Sequence, residues 1–435
     1  MKFQDFQLHT RLLSTLTEIG FETPTLIQEK TIGPALDGRD VLGIAQTGTG
    51  KTAAFLLPLL TRMAGGRARA RMPRCVVLEP TRELAGQVLA ACEQFSKNLG
   101  LNMALLIGGT SSKAQEKKID DGVDILIATP GRFIDQYERG KLLLSDVQHL
   151  VVDEADRMLD MGFIPDIEKI CSITPFTKQT LLFSATMPAD ISQIAEKFMS
   201  APVRVEVAPE KTTNENVTQY LISVPEMKKR VLLRALLEQL DPGNTIIFCN
   251  SKRGVGQLSE SLMRHGYSTA ALHGDIPQNI RTHVLDQFRE QKLRHLVATD
   301  VAARGIDVAH VSHVFNFDMP YHAEDYVHRV GRTGRGGRTG TAYSFVDQND
   351  ERQSKALAAV KEFIQTDIDL VSTEEFGLSF DSQKSSDDKK PSKRSNKSKK
   401  SKRPDKRDIY ADVKTMENDP QSFTDLDEIP AFLRK

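Results

Sequence analysis

Charge of one sign, cysteine and long apolar runs are what this sequence has least of. Its 435 residues carry 58 Lys and Arg against 58 Asp and Glu, so the formal net charge is +0. No overall field attracts a polyanion, and any affinity for nucleic acid must come from local patches. No apolar run approaches ~18 residues, and the first residues, Met-Lys-Phe-Gln-Asp-Phe, lack an apolar signal core. We therefore expect a soluble, cytoplasmic protein without a membrane segment.

The cysteines exclude two kinds of site. They are far apart and form no Cys-x-x-Cys pair, at positions Cys75, Cys92, Cys171 and Cys249. Cys75 and Cys249 lie in apolar, strand-like runs, Cys-Val-Val-Leu and Ile-Ile-Phe-Cys. We interpret them as small buried hydrophobic residues of a reducing compartment, and not as disulfides or zinc ligands.

Short β-type runs alternate with amphipathic helical stretches along most of the chain. The alternation predicts an α/β architecture of two doubly wound parallel-sheet domains, 1–207 and 218–370, joined by a polar linker at 208–217. The strands predicted for the first domain are Val41–Ala45, Cys75–Glu79, Met103–Ile107, Ile125–Ala128, Leu150–Asp153, Thr180–Ser184 and Val203–Val207. Those predicted for the second are Thr218–Val224, Thr245–Cys249, Ser268–Leu272, Leu296–Thr299, His313–Phe317 and Gly340–Phe345.

The composition changes near the carboxyl terminus, where we predict a disordered tail over 371–435. The tract 384–407 holds twelve Lys and Arg against three Asp, without apolar residues. It would attract RNA phosphates, or it would only solubilise the protein. The acidic segment 425–435 ends in Ile-Pro-Ala-Phe-Leu-Arg-Lys. We expect it to dock on a protein partner, the alternative being that it folds back on the core.

One segment has the pattern of a phosphate-binding loop, Ala45-Gln-Thr-Gly-Thr-Gly-Lys-Thr52. Gly48 and Gly50 would let backbone N–H groups surround phosphate oxygens, and Lys51 would supply a cation. The hydroxyl of Thr52 would ligate Mg²⁺. The usual pattern begins with Gly, where this chain has Ala. A purely structural turn after a strand is the alternative. The candidate nucleotide contacts are Ala45, Gln46, Thr47, Gly48, Thr49, Gly50, Lys51 and Thr52.

A second segment, Leu150-Val-Val-Asp-Glu-Ala-Asp156, is an apolar run that ends in carboxylates. A buried parallel strand delivers such acids to its carboxyl-terminal edge. Asp153 would hold Mg²⁺, since a hard cation prefers oxygen ligands, and Glu154 would orient and deprotonate the attacking water. Asp156 is better placed to bond another part of the protein. The two segments together predict hydrolysis of a nucleoside triphosphate.

With these motifs, the chain from about residue 3 to 370 closely resembles the DEAD-box family of ATP-dependent RNA helicases. The resemblance implies two tandem RecA-like domains, ATP and Mg²⁺ as cofactors, and RNA as partner. Gly20-Phe-Glu-Thr-Pro-Thr-Leu-Ile-Gln28 is similar to the family's Q motif. A Gln amide can pair with adenine and an aromatic ring can stack on it, which favours ATP over GTP. An ordinary turn entering a helix is the alternative. The implied adenine-side residues are Phe3, Phe21, Thr23 and Gln28.

Further motifs imply coupling and catalytic roles. Ser184-Ala-Thr186 resembles the motif that bonds to the Asp-Glu-Ala-Asp segment and couples hydrolysis to strand separation. His328-Arg-Val-Gly-Arg-Thr-Gly-Arg335 resembles the family's motif of arginine fingers, which would be Arg332 and Arg335. A Gly/Arg loop that binds RNA is the alternative. The implied coupling residues are Asp156, Ser184, Thr186 and His328, and the implied ribose and phosphate contacts in the second domain are Gly305 and Asp307.

The motifs that resemble the RNA side of the family are rich in hydroxyls, glycines and arginines. Such groups suit the sugar–phosphate backbone, which carries no sequence information, and few aromatic residues lie among them. The implied RNA contacts are Pro80, Thr81, Arg82, Gly109, Thr129, Pro130, Gly131, Arg132, Gly274, Arg281 and Thr299.

The sequence therefore predicts an ATP-dependent RNA helicase whose two domains close on ATP–Mg²⁺ and RNA and melt a duplex locally. We expect a monomeric core and a role in ribosome assembly or RNA turnover, because the motifs look nearest to bacterial helicases of those processes. Two alternatives stay open. One is a helicase or translocase that acts on DNA, and the other is an ATP-gated RNA clamp or scaffold without catalysis.

Overall fold

The computed structural model of the chain describes residues 1–46, 48–109, 112–207, 216–303, 308, 310–334 and 338–376. The chain divides into two compact units. The first comprises Met1–Asn214 and Asp300–Asp307, and the second comprises Glu215–Thr299 and Val308–Lys435. The boundary falls within the predicted linker, of which residues 208–215 lie outside the described part of the chain. The predicted tail from residue 377 onward also lies outside it.

The first unit is built on a seven-stranded sheet in the order β3-β4-β2-β5-β6-β1-β7, with every described pair parallel. Its strands are β1 (Val41–Ile44), β2 (Cys75–Leu78), β3 (Met103–Leu106), β4 (Ile125–Ala128), β5 (His149–Val152), β6 (Gln179–Ser184) and β7 (Val203–Glu206). Its helices are α1 (Thr10–Glu18), α2 (Leu26–Leu36), α3 (Lys51–Met63), α4 (Arg82–Ser96), α5 (Ser112–Asp120), α6 (Pro130–Glu138), α7 (Ala155–Asp160), α8 (Ile164–Ile173) and α9 (Ala189–Phe198).

Continuous apolar strands explain why helices cover this sheet on both faces. Residues of β1, β2, β4 and β5 are buried at every position, as expected of parallel strands between two helical layers. One face packs around Phe55 and Phe183, and the other packs around Phe133 and Met158. Because the strands are parallel, their carboxyl-terminal ends all meet at one edge of the sheet.

The second half of the chain repeats this topology. Its sheet has the order β10-β11-β9-β12-β13-β8-β14, which is the first order with each strand seven places further along. The strands are β8 (Val217–Ser223), β9 (Asn244–Phe248), β10 (Thr269–Leu272), β11 (His295–Ala298), β12 (Val311–Asn316), β13 (Gly340–Val346) and β14 (Asp369–Val371). The helices of this part are α10 (Lys229–Leu240), α11 (Lys252–Arg264), α12 (Gln278–Arg289), α13 (Asp300–Ala303), α14 (Ala323–Val330) and α15 (Glu351–Ile364). The predicted doubly wound α/β fold is confirmed.

Every predicted strand is present, with ends shifted by at most two residues, but the second unit extends further than predicted. The sequence predicts that this unit ends at residue 370 and that a disordered tail begins at 371. Strand β14 instead pairs with β8, and a 3-10 helix follows at Thr373–Phe376. The Phe376 ring lies against Tyr343, with 6.3 Å between ring centroids. A three-residue edge strand is too short to show periodicity, which is why the sequence did not reveal it.

The cysteines and the lengths of the helices bear on two expectations from the sequence. All four cysteines are buried and unbonded, and burial raises the pKa of the Cys75 thiol to about 12. Their interpretation as buried hydrophobic residues is therefore confirmed. None of the described helices is long and apolar enough to span a bilayer.

Acids at the amino-terminal edge of the first sheet have their oxygens engaged in hydrogen bonds. The Oδ1 atom of Asp124 accepts from Arg74 Nε (2.8 Å) and its Oδ2 atom accepts from the Asn102 N–H (2.9 Å). Asp40 accepts from the Thr180 N–H (2.7 Å) through one oxygen and from another backbone N–H through the other. These acids tie strand starts together and are structural.

Buried His149 should make the first unit sensitive to acid. The ring is 3% exposed, its Nδ1 lies 3.0 Å from Gln179 Oε1, and burial lowers its pKa to about 4. The unfolded chain takes up this proton near pH 6.5, so the stabilisation is complete above that pH and is lost as the pH falls toward 4, by roughly 3 kcal/mol. His149→Gln should flatten the decline in urea unfolding midpoint between pH 7 and pH 5. An unchanged decline would contradict this account.

Candidate functional site

The carboxyl-terminal edge of the first sheet brings the predicted motifs together. Parallel strands end at the same edge, where ligand sites of open α/β sheets occur. Strands β5, β6 and β1 are adjacent. Asp153 follows β5, Ser184 ends β6 and Ala45 follows β1, and all three residues belong to the predicted nucleotide and coupling motifs. The adjacent strands β3, β4 and β2 lead into the predicted RNA motifs. Strand order thus separates two neighbouring sites along one edge.

The phosphate-binding loop has a conformation that glycine favours. Its first residue, Ala45, donates its N–H to the Ser184 carbonyl (3.0 Å), which anchors the loop to β6. Gly48 and Gly50 have φ of 88° and 91°, in the left-handed region. Helix α3 begins at Lys51, so its first N–H groups lie at the loop and form a site for anions. Thr47 lies outside the described residues.

Gln28 ties α2 to this loop. Its Oε1 accepts from the Thr25 N–H (2.9 Å) and its Nε2 donates to the Gly50 carbonyl (3.1 Å), while the Thr25 hydroxyl donates to the Thr49 carbonyl (2.7 Å). A Cβ atom on Gly50 would lie only 2.4 Å from Nε2. The structure therefore gives the Gln28 amide a role in holding the loop, and its contact with adenine stays a prediction.

The aromatic residues near Gln28 differ from the sequence prediction in one respect. Phe3 is only 2% exposed and packs in the core, so its ring as placed has no open face for a base. The open ring is that of Phe21, which is 39% exposed and contacts Phe3 (6.2 Å between centroids) and Phe95 (5.6 Å). Thr23, two residues after Phe21, is also exposed. An isolated aromatic residue in a sequence does not reveal which side of the ring is covered.

The predicted catalytic acids and lysine are all buried at this edge. Lys51 and Asp153 are each 5% exposed, and Glu154 is 7% exposed. Burial raises the pKa of Asp153 to about 6 although Lys51 lowers it, and the Glu154 charge adds to the rise. The Glu154 N–H donates to Asp153 Oδ1 (2.9 Å). Glu154 has φ of 51°, a conformation that costs a non-glycine residue about 1 kcal/mol and is concentrated at functional sites.

A further acid, Glu79, lies in the same place and was missed by the sequence analysis, which assigned it only to a strand. Burial, and then the charges of Asp153 and Glu154, raise the pKa of Glu79 well above its usual range, while Lys51 opposes the shift. Among the described residues, neither carboxylate oxygen of Glu79 accepts a hydrogen bond, and Lys51 Nζ has no hydrogen-bond acceptor. The sequence does carry a signal for Glu79, because Cys-Val-Val-Leu-Glu, like Leu-Val-Val-Asp, is an apolar run that ends in a carboxylate.

These orphaned groups fit a nucleotide that carries a divalent cation. A buried ammonium group without an acceptor suits phosphate oxygens, and buried carboxylates suit a hard cation. No group of three or more His, Cys, Asp and Glu that could hold a metal occurs in the described part of the chain. Mg²⁺ commonly takes one or two protein ligands and completes its shell with phosphate oxygens and water, so Thr52 and Asp153 would suffice.

The predicted contact between the acidic segment and Ser184-Ala-Thr186 is present. Asp156 Oδ2 accepts from the N–H groups of Ala185 and Thr186, at 3.2 Å each. The Asp156 N–H donates to the Ser184 hydroxyl (3.2 Å), and Ser184 is fully buried. Loops after two neighbouring strands are thereby joined. What this junction does during catalysis stays a prediction.

On the RNA side of the first unit, two helices begin at the edge. Thr81 caps α4, its hydroxyl accepting from the Leu84 N–H (3.3 Å), and Thr129 precedes α6 with Pro130 in the first turn. Gly109 has φ of 80°, and a Cβ there would lie 2.5 Å from an Arg82 guanidinium nitrogen. The loops after β2 and β3 are thus in contact.

Gly131 and Arg132 occupy the first turn of α6. The Arg132 guanidinium pairs with Asp135 one turn later and is largely covered. Pairing holds this arginine close to the amino-terminal end of the helix. The predicted residues Pro80, Thr81, Arg82, Gly109, Thr129, Pro130, Gly131 and Arg132 therefore belong to one stretch of edge.

The predicted RNA residues of the second unit also follow adjacent strands, β10 and β11. Gly274 follows β10, and a Cβ there would lie 3.8 Å from Lys252 Cε. Thr299 follows β11 and is 8% exposed. Arg281, in α12, is 6% exposed, and its contact with RNA stays a prediction.

The described part of the predicted finger motif is held by a residue that the sequence analysis missed. Arg329 is 1% exposed, and its guanidinium donates to the Asp318 carbonyl (2.5 Å) and to Asn250 Oδ1 (2.7 Å). Arg332 Nε donates to the carbonyl of His328 (3.1 Å). Nothing in the spacing separates a structural arginine of this motif from a finger. The predicted contacts Gly305, Asp307 and Arg335 lie outside the described residues.

Comparisons with known proteins agree with this geometry. Family models match for the DEAD/DEAH box helicases over residues 25–194 and for the helicase conserved C-terminal domain over residues 227–337. The chain is 43% identical over 355 residues to the DEAD-box ATP-dependent RNA helicase CshA of Bacillus subtilis (strain 168), covering 82% of this chain and 71% of that protein. It is 44% identical over 344 residues to the protein of that name from Geobacillus kaustophilus (strain HTA426), covering 79% and 73%. Among solved structures, S. cerevisiae Dbp5 bound to RNA and ADP BeF3 matches with a TM-score of 0.77 and 31% identity, covering 86% of this chain and 96% of that one.

The loop geometry yields a prediction with a matched control. Gly48→Ala and Gly50→Ala both place a side chain at positive φ, at a cost of about 1 kcal/mol. A Cβ on Gly48 meets nothing within 4 Å, whereas one on Gly50 meets the Gln28 amide. That amide would have to move and give up its hydrogen bonds, which adds about 1–2 kcal/mol. Chemical unfolding of the nucleotide-free protein should therefore show the larger loss for Gly50→Ala, and equal losses would mean that Gln28 does not hold the loop.

Proposed function

Because this chain belongs to the DEAD-box family of ATP-dependent RNA helicases, we propose that it uses ATP hydrolysis at an interdomain cleft to unwind RNA duplexes locally. The observation that carries the proposal is the buried set of Lys51, Asp153 and Glu154 beside a glycine-shaped phosphate loop. The same acidic segment is joined through Asp156 to the Ser184 loop. The three buried charges and the contact between the acidic segment and a neighbouring loop support this proposal.

In this proposal the first domain holds ATP by its phosphates. Lys51 and the first N–H groups of α3 bind the outer phosphate oxygens, and Thr52 with Asp153 holds Mg²⁺. When bound, Mg²⁺ neutralises charge that develops on the transferring phosphoryl group. Gln28 keeps the loop in shape, and the open face of Phe21 offers stacking area to the base.

Glu154 takes the proton of the attacking water. Its carboxylate is buried next to Asp153, and its backbone is held at positive φ where α7 begins. A base fixed in this way needs no reorganisation when water attacks. Hydrolysis then reaches the rest of the domain through the Asp156 contacts with Ala185 and Thr186.

RNA binds along the neighbouring stretch of the same edge. The amino-terminal ends of α4 and α6 present N–H groups and a positive dipole end, which suit phosphate oxygens. Arg82 and Arg132 add charge without any base-reading arrangement. The solved structure of S. cerevisiae Dbp5 is bound to RNA and ADP BeF3 together, and we infer simultaneous binding of RNA and nucleotide here as well.

The second domain completes the site when the two domains close. Arg332 and Arg335 act as fingers on the phosphates, Gly305 and Asp307 contact ribose and phosphate, and His328 takes part in coupling. Gly274, Arg281 and Thr299 belong to the second RNA surface. Closure is required because the general base and the fingers belong to different domains, so neither domain alone hydrolyses ATP well.

The cellular role is proposed on the likeness to bacterial helicases. We place the protein in the cytoplasm, with a monomeric core, in ribosome assembly or RNA turnover. The basic tract 384–407, which lies outside the described residues, adds sequence-independent affinity for RNA. The segment 425–435, also outside them, docks on a protein partner.

Stimulation of ATP hydrolysis by RNA is the first test of this function. The full-length protein should hydrolyse ATP faster with single-stranded RNA than with DNA of the same sequence, because its contacts are expected to include 2′-hydroxyls. It should also release the shorter strand of a short RNA duplex only when ATP is present. Equal stimulation by DNA would favour a DNA-directed enzyme. Binding of RNA with ATP but without turnover would favour a clamp.

Glu154→Gln should separate binding from hydrolysis. It removes the base and keeps its shape, so turnover should fall by ~10²–10⁴-fold while ATP and RNA still bind. Steady-state ATPase and fluorescent-nucleotide binding measure the two effects. Glu206→Gln, at the exposed acid that ends β7, is the matched control and should hydrolyse ATP normally. Near-normal turnover in Glu154→Gln would sink the assignment of the base.

A further inference from the structure

The position of Glu79 is fixed by the backbone of the sheet. Leu78 on β2 pairs with Val152 on β5, so the next residues, Glu79 and Asp153, are neighbours at the carboxyl-terminal edge. The Glu79 N–H donates to the Ala128 carbonyl (2.9 Å), and the Asp153 N–H donates to the Leu78 carbonyl (3.2 Å). Both acids therefore continue the hydrogen-bonded ladder, and neither belongs to a loop that could swing away.

The side chain of Glu79 lacks the partners that other buried acids have. It is 1% exposed, and in the described part of the chain neither of its oxygens has a hydrogen-bond donor. Asp124 and Asp40, at the opposite edge of the same sheet, accept hydrogen bonds through both oxygens. A buried carboxylate persists when something satisfies it, and a structural acid would have been given donors by the fold.

The surroundings of Glu79 indicate what satisfies it. Its electrostatic neighbours are Asp153, Glu154 and Lys51, which are the groups that the proposed function assigns to magnesium, water and phosphate. Lys51 Nζ also finds no acceptor among the described residues, so lysine and glutamate do not form an ion pair with each other. Three acids around one lysine leave an excess of negative charge, which suits a divalent cation.

We propose that Glu79 is an additional residue of the magnesium site, a positioning residue that acts with Asp153 on the hydrated cation bound to the nucleotide phosphates. This inference rests on the proposed function of the site. Mg²⁺ keeps several of its waters in proteins, and those waters donate hydrogen bonds to nearby carboxylates. Acids of this kind orient the cation without replacing its ligands, and their loss costs about 10–100-fold in metal affinity.

Nucleotide binding with and without Mg²⁺ tests this role without relying on turnover. Binding of a fluorescent ADP to full-length Glu79→Gln should require about 10-fold more Mg²⁺ for half-saturation than the unchanged protein. In EDTA the same variant should bind the nucleotide at least as well as before, because no cation is present for the carboxylate to position. A packing role would instead weaken binding under both conditions, and that result would overturn the proposal.

Three further variants make the outcome decisive. Glu79→Asp keeps the charge and should recover part of the Mg²⁺ dependence. Glu79→Ala removes the carboxylate without adding an amide, and it should show the same shift, so it decides the matter if the Gln variant does not fold. Asp153→Asn tests the site itself. If it shifts the Mg²⁺ requirement and no Glu79 variant does, Glu79 has no part in the site. If it shifts nothing, the proposed metal site is wrong.

Discussion

The parallel register of β2, β5, β6 and β1 is the constraint on which the rest of the first domain depends. It sends all four strand ends to one edge, and hydrogen bonds between strands continue into the residues that follow. Ala45 donates to Ser184 (3.0 Å) and Asp153 donates to Leu78 (3.2 Å) across this edge. The spacing of the reactive groups is thus set by the sheet, which deforms little, and only secondarily by the loops that carry them.

That constraint also creates an electrostatic conflict. Glu79, Asp153 and Glu154 are crowded around Lys51 in a water-poor environment, and the pKa values of Glu79 and Asp153 are raised as a result. Glu154 adds backbone strain. Such a cluster persists because the apolar core beneath it fixes the strands regardless. A triphosphate with its cation would supply an acceptor for the lysine and a positive charge for the acids, so ligand binding would relieve a strain that folding imposes.

Sequence patterns predicted those features that depend on neighbours in the chain. The strands were found because apolar runs of parallel sheets are uninterrupted, and the loop at 45–52 was found because phosphate binding demands glycine at fixed spacing. Arg329 was missed because its hydrogen bonds are made with residues far away in sequence. Glu79 has a local signal, an acid at the end of an apolar run, but that signal alone does not show which other acids lie beside it. Which strands are adjacent depends on the order in the sheet, and no local pattern encodes that order. The burial of Phe3 was not predicted either, because it depends on core residues that no local pattern identifies.

The repeated strand order separates what the two domains share from what they do not. In each unit the predicted RNA residues follow strands at one side of the sheet, which are β3, β4 and β2 in the first unit and β10 and β11 in the second. In the first unit a glycine loop follows β1. β8 has the corresponding place in the second sheet, and no glycine loop follows it in the sequence. The proposed nucleotide and RNA sites of the first unit meet at the end of β2, where Glu79 is followed directly by Pro80, Thr81 and Arg82. If both proposed sites are correct, a displacement of this one strand end would move residues of both, and the sheet would directly connect the state of the nucleotide with the binding of RNA.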